Sequence, residues 1–71
     1  MGKNPNYWYI GKTVQIVGAH NFKGITGTIR DASPLGHCDI ELHINNRLQL
    51  QRLPLSTVRI VYVFFVYATV I

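Results

Sequence analysis

The side chains best suited to chemistry lie close together in the middle of the chain. His37 is followed directly by Cys38, and His43 lies a few residues further on. A structural zinc site takes four ligands, usually with paired cysteines. On a strand over residues 38–44, Cys38 faces the core with Ile40 whereas His43 faces solvent, since successive side chains alternate. The sequence therefore predicts a buried thiol, with no metal site, no Cys-His nucleophile pair and no cofactor.

The acidic residues do not improve the case for catalysis. Asp39 and Glu41 share the outer face of that strand, which is the ordinary pattern of a solvated strand. The sequence also lacks a phosphate-cradling glycine loop that ends in Lys-Ser or Lys-Thr. We therefore expect a binding protein and not an enzyme.

The charge balance favours an anionic partner. Seven Lys and Arg against three Asp and Glu give a net charge of +4, and all three acids lie within residues 31–41. A small basic domain suits phosphate backbones first, then acidic protein tails or anionic lipid. The alternative is that the surplus charge serves solubility alone.

Short alternating segments predict an all-β fold. The alternation of apolar and polar residues predicts strands over residues 13–17, 26–31, 38–44 and 47–51, and another from Val58 through Ile60. No window has sustained helical periodicity. Several short strands in 71 residues predict one small β-barrel of about five strands.

The segment 38–51 is predicted to be a hairpin. Asn45-Asn46 is a two-residue turn of the type that tolerates positive φ at both positions. We expect Leu48 and Leu50 to face inward, and residues 53–56 to form a short helical turn.

The two ends of the chain differ in character from the middle. Residues 1–10 are predicted to be an N-terminal lead-in, flexible over residues 1–6. Residues 11–61 are predicted to form the barrel, and residues 62–71 an apolar tail to which no single structure is assigned. Tyr7, Trp8 and Tyr9 are expected to pack across an open end of the barrel. They are also compatible with a stacking platform or part of a methyl-lysine cage.

The most informative stretch is Phe22-Lys23-Gly24-Ile25-Thr26-Gly27, after the strand Val14-Gln15-Ile16 and before Thr28-Ile29-Arg30-Asp31-Ala32. It resembles the KOW motif. With Gly11-Lys12-Thr13-Val14 and Asp39-Ile40-Glu41-Leu42-His43, the resemblance extends over roughly residues 11–59, to KOW domains of the NusG-like, suppressor-of-Ty type of transcription elongation factor. The fold it implies is an SH3-like β-barrel.

The motif has a physical interpretation of its own. Gly24 and Gly27 open a strand where the absence of Cβ permits positive φ or close backbone approach. Lys23 presents a cation beside the Phe22 ring, a pairing that suits a phosphate and a base. Phe22 is also expected to plug one end of the barrel. His20 stands where KOW loops usually have a glycine, so Asn21 is a candidate for the left-handed conformation.

The resemblance implies a module that binds RNA, DNA or proteins in transcription, in the nucleus or otherwise in the cytoplasm. Partners in the transcription machinery follow from it. The rival is a protein-docking module built on the same barrel, and a ribosomal-type KOW protein is third. Since one cysteine cannot form an internal disulfide, a reducing compartment is expected. The residues expected to contact nucleic acid are His20, Phe22, Lys23, Lys12, Arg30, Arg47 and Arg52.

Twelve uncharged residues, 60–71, end the chain. They are too few for a bilayer span, which needs about 20, so no membrane partner is expected. A strand is predicted to about residue 64. The remainder is either an edge that pairs with another chain, allowing self-association, or a segment without selected structure.

Deleting residues 66–71 is expected to leave the fold intact and to raise solubility, because an apolar β-prone end invites edge pairing. Circular dichroism and the soluble concentration of the truncated chain test this. Unfolding of the truncated chain would show that the tail belongs to the barrel.

Overall fold

The fold is all-β, as the alternation predicts. A computed structural model describes residues 3–18 and 20–61. Its strands are β1 (Thr13–Ile16), β2 (Thr26–Ala32), β3 (His37–Ile44), β4 (Arg47–Pro54) and β5 (Val58–Ile60). A 3₁₀-helix precedes β1 (Tyr7–Tyr9), and a second one joins β4 to β5 (Leu55–Thr57), near the predicted helical turn.

The five strands form one antiparallel sheet in the order β4-β3-β2-β1-β5. Although β4 and β5 are the two edges, only the helix Leu55–Thr57 separates them in the chain. In a flat five-stranded sheet the edges would be about 19 Å apart, whereas a 3₁₀-helix rises about 2 Å per residue. The sheet therefore curls strongly. Over the described residues β4 and β5 do not pair, and the sheet stays open.

The hydrophobic core fills the concave face of this curled sheet. Alternate residues of β1 and β3 supply it, because every second side chain of a strand lies on the same face. β2 contributes Ile29 and Ala32 to the core, and β4 contributes Leu53. A register shift between Ile29 and Asp31 places both Arg30 and Asp31 on the exposed side. The buried residues are Val14, Ile16, Ile29, Ala32, Cys38, Ile40, Leu42 and Leu53.

Gly27 of β2 lies where β3 leaves no room for a side chain. A Cβ at this position would lie 2.6 Å from the Glu41 carbonyl oxygen and equally close to side-chain carbons of Ile40 and Leu42. Real Cβ atoms do not approach backbone that closely, so only glycine fits here. The expectation of close backbone approach at this motif glycine is confirmed.

The hairpin between β3 and β4 turns on two residues, as expected. Asn45 and Asn46 have φ of 53° and 63°, the left-handed conformation of a primed turn. Ile44 pairs with Arg47 directly beside the turn, and the register continues to His37 and Pro54.

The prediction that Leu48 and Leu50 face inward is wrong. They pair with His43 and Glu41, and directly opposed residues of antiparallel strands share a face. Since His43 and Glu41 lie on the outer face, the two leucines lie there too, 59% and 64% exposed.

The aromatic triplet before β1 does not pack as a unit. Tyr9 packs against the core, whereas Tyr7 and Trp8 are 71% and 52% exposed. The expectation that all three cover an open end is therefore wrong for Tyr7 and Trp8. The helix is anchored from its N-terminal side, because the side-chain amides of Asn4 and Asn6 donate to the carbonyls of Ala32 and Ser33 at 2.7 and 2.8 Å.

The predicted tail, residues 62–71, lies outside the described residues, as do residues 1, 2 and 19. β5 is described to Ile60, and Val61 still donates its backbone N–H to Thr13 at 2.8 Å. Over residues 3–18 and 20–61, no helix is both long and apolar enough to cross a bilayer.

The turn predicts a difference between two substitutions at Asn46. Asn46→Gly should be neutral or mildly stabilising, because glycine adopts positive φ without steric cost. Asn46→Val should destabilise by on the order of 1 kcal/mol or more, because a β-branched residue is strained there. Urea unfolding of both variants measures the difference. Asn21→Val, at an exposed position without positive φ, serves as the control, and equal stability of the two Asn46 variants would contradict the turn.

Candidate nucleic-acid interface

The loop between β1 and β2 presents Lys23 to solvent. Gly24 has φ of +91° and donates its N–H to the Ile16 carbonyl at 2.7 Å, which brings the chain back towards β1. Lys23 in turn donates its N–H to His20 at 3.1 Å. Gly24, and not Asn21, supplies the left-handed conformation of this loop. A hydrogen-bonded turn thus presents the exposed side chain of Lys23.

His20 and Phe22 form the base of the loop. Phe22 is half-buried and packs against the core, in keeping with its expected role as an end plug. Its backbone N–H donates to Nδ1 of His20 at 3.1 Å, and the two rings are 5.4 Å apart. Phe22 therefore holds the loop against the core, and part of its side chain remains exposed next to Lys23 in the chain.

A row of polar side chains crosses the outer face of the sheet next to this loop. Gln15 of β1 lies between Arg59 of β5 and Thr26 of β2. One residue beyond the Gly27–Leu42 pair, the same register brings Thr26 beside His43 of β3. Opposed residues of an antiparallel sheet share a face. We call Arg59, Gln15, Thr26 and His43 the outer row.

The loop is attached to the outer row by a side-chain hydrogen bond. The Gln15 amide donates to the Gly24 carbonyl at 3.1 Å, directly after Lys23 in the chain. Gln15 thus lies between Arg59 of the edge strand and the loop residue that follows Lys23. The outer row itself contains no acid, and at its β3 end Nε2 of His43 lies 4.0 Å from the Glu41 carboxylate.

Arg59 is absent from the residues that the sequence predicts to bind nucleic acid. Its place beside Gln15 depends on the pairing of the first strand with the last. The alternation around Val58 and Ile60 indicates that Arg59 is exposed, and the structure confirms this. No local pattern indicates which strand lies next to it.

Two of the predicted phosphate-binding arginines are held by carboxylates. The Arg30 guanidinium forms a two-point contact with Glu41 through Nε and Nη2, the latter at 2.9 Å. Arg52 donates from Nε to Asp39 at 2.9 Å. Each of these bonds raises the pKa of the arginine, and the Arg30 bond lowers the pKa of Glu41.

The remaining charge is therefore unevenly distributed. Seven bases and three acids give +4, and the acids Glu41 and Asp39 are matched by Arg30 and Arg52. Among residues 3–18 and 20–61, no carboxylate forms a salt bridge with the other five bases. These are Lys3, Lys12, Lys23, Arg47 and Arg59.

Not all of the predicted residues come together. Lys12 is exposed just before β1, at the opposite end of that strand from the Lys23 loop. Arg47 is exposed beside the Asn45-Asn46 turn, close in sequence to His43 but across the hairpin from it. The structure places His20, Phe22 and Lys23 on one loop, which the Gln15–Gly24 hydrogen bond attaches to the outer row. Arg47 pairs with Ile44 on the core side of the sheet, and Lys12, Arg30 and Arg52 lie outside this group.

Cys38 lies at the floor of a cleft of about 340 Å³, on another part of the surface. Burial, and then the negative charge of Asp39, raise the pKa of its thiol to about 11. The thiolate that nucleophilic or metal chemistry needs is therefore scarce at neutral pH. In the described part of the chain, no three His, Cys, Asp or Glu side chains are grouped to hold a metal ion.

No protein-family model matches the sequence, and no curated protein matches it either.

The Arg30–Glu41 pair predicts a specific pH dependence. Because the folded state lowers the pKa of Glu41, the pair's stabilisation is complete above the unfolded-state value of about 4.3 and is lost as pH falls through the lower folded-state value. Glu41→Gln should therefore show a shallower loss of stability than the unmodified chain between about pH 6 and pH 3. Urea midpoints across this range measure it.

Arg47→Gln is the matched control, since no salt bridge involves Arg47 within the described residues. That variant should retain the acid dependence of the unmodified chain. Identical profiles for the unmodified chain and Glu41→Gln would show that the pair contributes nothing in solution.

Proposed function

We propose that this chain is a nucleic-acid-binding module of the KOW type, and that it binds the phosphate backbone of RNA or DNA at the outer row and the Lys23 loop. Lys23 and Arg59 supply the positive charge. Gln15, Thr26 and His43 supply further hydrogen-bonding groups along the same row. Half or more of the hydrogen bonds in such interfaces go to phosphate and sugar, so a set of this composition is well matched to them.

The observation that carries the proposal is the separation of charge. The acids lie on β2 and β3, where Arg30 and Arg52 match two of them. Arg59 lies in the outer row and Lys23 on the loop attached to it, and both side chains are exposed. Neither forms a salt bridge within the described residues, so each is available to displace counterions from a phosphate backbone.

Three features favour an SH3-like barrel of the KOW type as the underlying fold. The sheet curls strongly, and the first of its strands pairs with the last. Gly24 has positive φ and Gly27 permits close approach, as the motif requires. On the resemblance to elongation-factor domains, we propose that the partner is RNA or DNA engaged by the transcription machinery in the nucleus.

An exposed aromatic pair supports a second candidate function. Trp8 is 52% exposed, and its ring centroid lies 4.2 Å from that of Tyr9, while Tyr7 is exposed beside it. Large exposed aromatic side chains are uncommon in a small domain unless they contact a partner. This observation favours docking of a protein or a peptide.

Titrations at several salt concentrations separate the two functions. Lys23→Ala and Arg59→Ala should each weaken binding of labelled single-stranded RNA and duplex DNA, whatever their sequence. Each should also lower the slope of log affinity against log salt by about one unit, because one phosphate contact is lost. Fluorescence anisotropy between about 50 and 200 mM salt measures both quantities.

Arg52→Ala is the charge-matched control, because it also removes one positive charge, but from a residue already paired with Asp39. It should change the salt slope much less than Lys23→Ala. An equal loss for all three variants would indicate a non-specific effect of net charge. Affinity that is insensitive to Lys23 and Arg59 but is lost in Trp8→Ala would favour the docking function.

A further inference from the structure

The exposed edge of β4 has an unusual distribution of side chains. β4 pairs with β3 on one side and with no strand on the other, over the described residues. Its apolar residues Leu48 and Leu50 lie on the outer face, 59% and 64% exposed, while Gln49 and Gln51 lie on the side of the core. Natural edge strands are usually blunted by charge or proline against pairing with another chain. Residues 48–51 of this edge include no charged residue and no proline.

The backbone of the same segment is free to pair. In a hairpin with a two-residue primed turn, the flanking residues, here Ile44 and Arg47, form a hydrogen-bonded pair. Hydrogen-bonded and non-hydrogen-bonded pairs then alternate along the ladder. The N–H and C=O groups of Leu48, Leu50 and Arg52 therefore point away from β3, towards solvent.

We propose that the β4 edge pairs with the β4 edge of a second copy of this chain, antiparallel and centred on Gln49. Leu48 then lies opposite the partner's Leu50, and Leu50 opposite the partner's Leu48. This forms a cluster of four leucines on the outer face across a two-fold axis. Such an interface is isologous, because each copy contributes the same surface.

The sequence of β4 selects a second copy as the occupant, because the segment is complementary to itself. The sequence is the same in both directions over Leu48-Gln49-Leu50. In a pairing centred on Gln49, each leucine must form backbone hydrogen bonds with a leucine of the partner, and the N–H and C=O groups of both leucines point towards that partner. Centring on Leu50 instead would place Leu48 opposite the partner's Arg52. Centring on Gln49 places Arg47 opposite the partner's Gln51, and Arg52 opposite the partner's Asn46, so that no like charges oppose each other directly.

The proposal is independent of nucleic-acid binding, and the two respond to salt in opposite directions. Each copy carries a net charge of +4, so added salt screens repulsion between the copies and favours the dimer. Phosphate binding weakens as salt rises. The failure of one proposal is therefore distinguishable from the failure of the other.

Sedimentation velocity of the full chain over a range of concentrations tests the dimer. We expect a monomer–dimer equilibrium that salt strengthens. The uncharged double variant Leu48→Gln/Leu50→Gln should raise the dimer dissociation constant by roughly tenfold or more, because the apolar contact is removed. Leu35→Gln is the matched control, since Leu35 is 86% exposed but lies in the turn between β2 and β3. It should leave the constant unchanged.

A cysteine placed on the two-fold axis tests the register. Gln49→Cys should form an intermolecular disulfide on mild oxidation, because residue 49 opposes itself in a non-hydrogen-bonded pair, where Cβ atoms are close. Arg47→Cys should not, since its counterpart lies several residues away along the partner strand. The unmodified chain is a further control, because Cys38 is buried.

Either of two results would overturn the proposal. One is a chain that stays monomeric at all concentrations. The other is a dimer that persists in Leu48→Gln/Leu50→Gln and does not crosslink through Gln49→Cys. If that dimer disappears when residues 66–71 are deleted, the apolar tail and not the β4 edge joins the copies.

Discussion

The two-residue turn at Asn45 and Asn46 determines what each side chain of β4 contacts. Because only two residues separate the strands, Ile44 must pair with Arg47, and each later pair follows from that one. This places Leu53 opposite Cys38 in the core and Arg52 opposite Asp39 on the outer face. A shift of one residue would exchange the two faces of β4. The left-handed conformation that asparagine tolerates is thus a condition for both the core and the outer surface.

The register of the strands also determines which basic side chains are paired with carboxylates and which are not. Arg52 reaches Asp39 because the hairpin aligns them, and Arg30 reaches Glu41 because β2 pairs with β3. Exposed ion pairs of this kind contribute little to stability. Their larger consequence is electrostatic. Arg30 and Arg52 offset the negative charges of Glu41 and Asp39, two of the three acidic residues. The net positive charge then remains with other bases, including Arg59 in the outer row and Lys23 on the loop attached to it.

Local patterns in the sequence were sufficient for the strands, the turn and the roles of both motif glycines. Each of these depends on neighbouring residues, such as the alternation of Ile40 and Leu42 with Asp39 and Glu41. The inward assignment of Leu48 failed because it followed hydrophobicity alone. The predicted turn already required Leu48 to share a face with His43.

The remaining features depend on contacts between distant parts of the chain. Arg59 joins the outer row only because β5 pairs with β1, and no local pattern specifies that pairing. The ion pairs of Arg30 and Arg52 likewise require the relative positions of three strands. The position of the helix that carries Trp8 likewise involves the hydrogen bonds of Asn4 and Asn6 to the end of β2 and the residue after it. Sequence periodicity does not report such contacts.

Curvature determines which surfaces of this small sheet remain exposed. The connection of β4 to β5 by one short helix forces the edges towards each other, and Gly27 allows β2 and β3 to pack closely at the bend. The concave face is then filled by the core side chains. On a convex face neighbouring side chains diverge, as they do along the outer row from Arg59 to His43. The surfaces that this fold leaves open are therefore its convex face, its loops and its edges, where the outer row and the β4 edge lie.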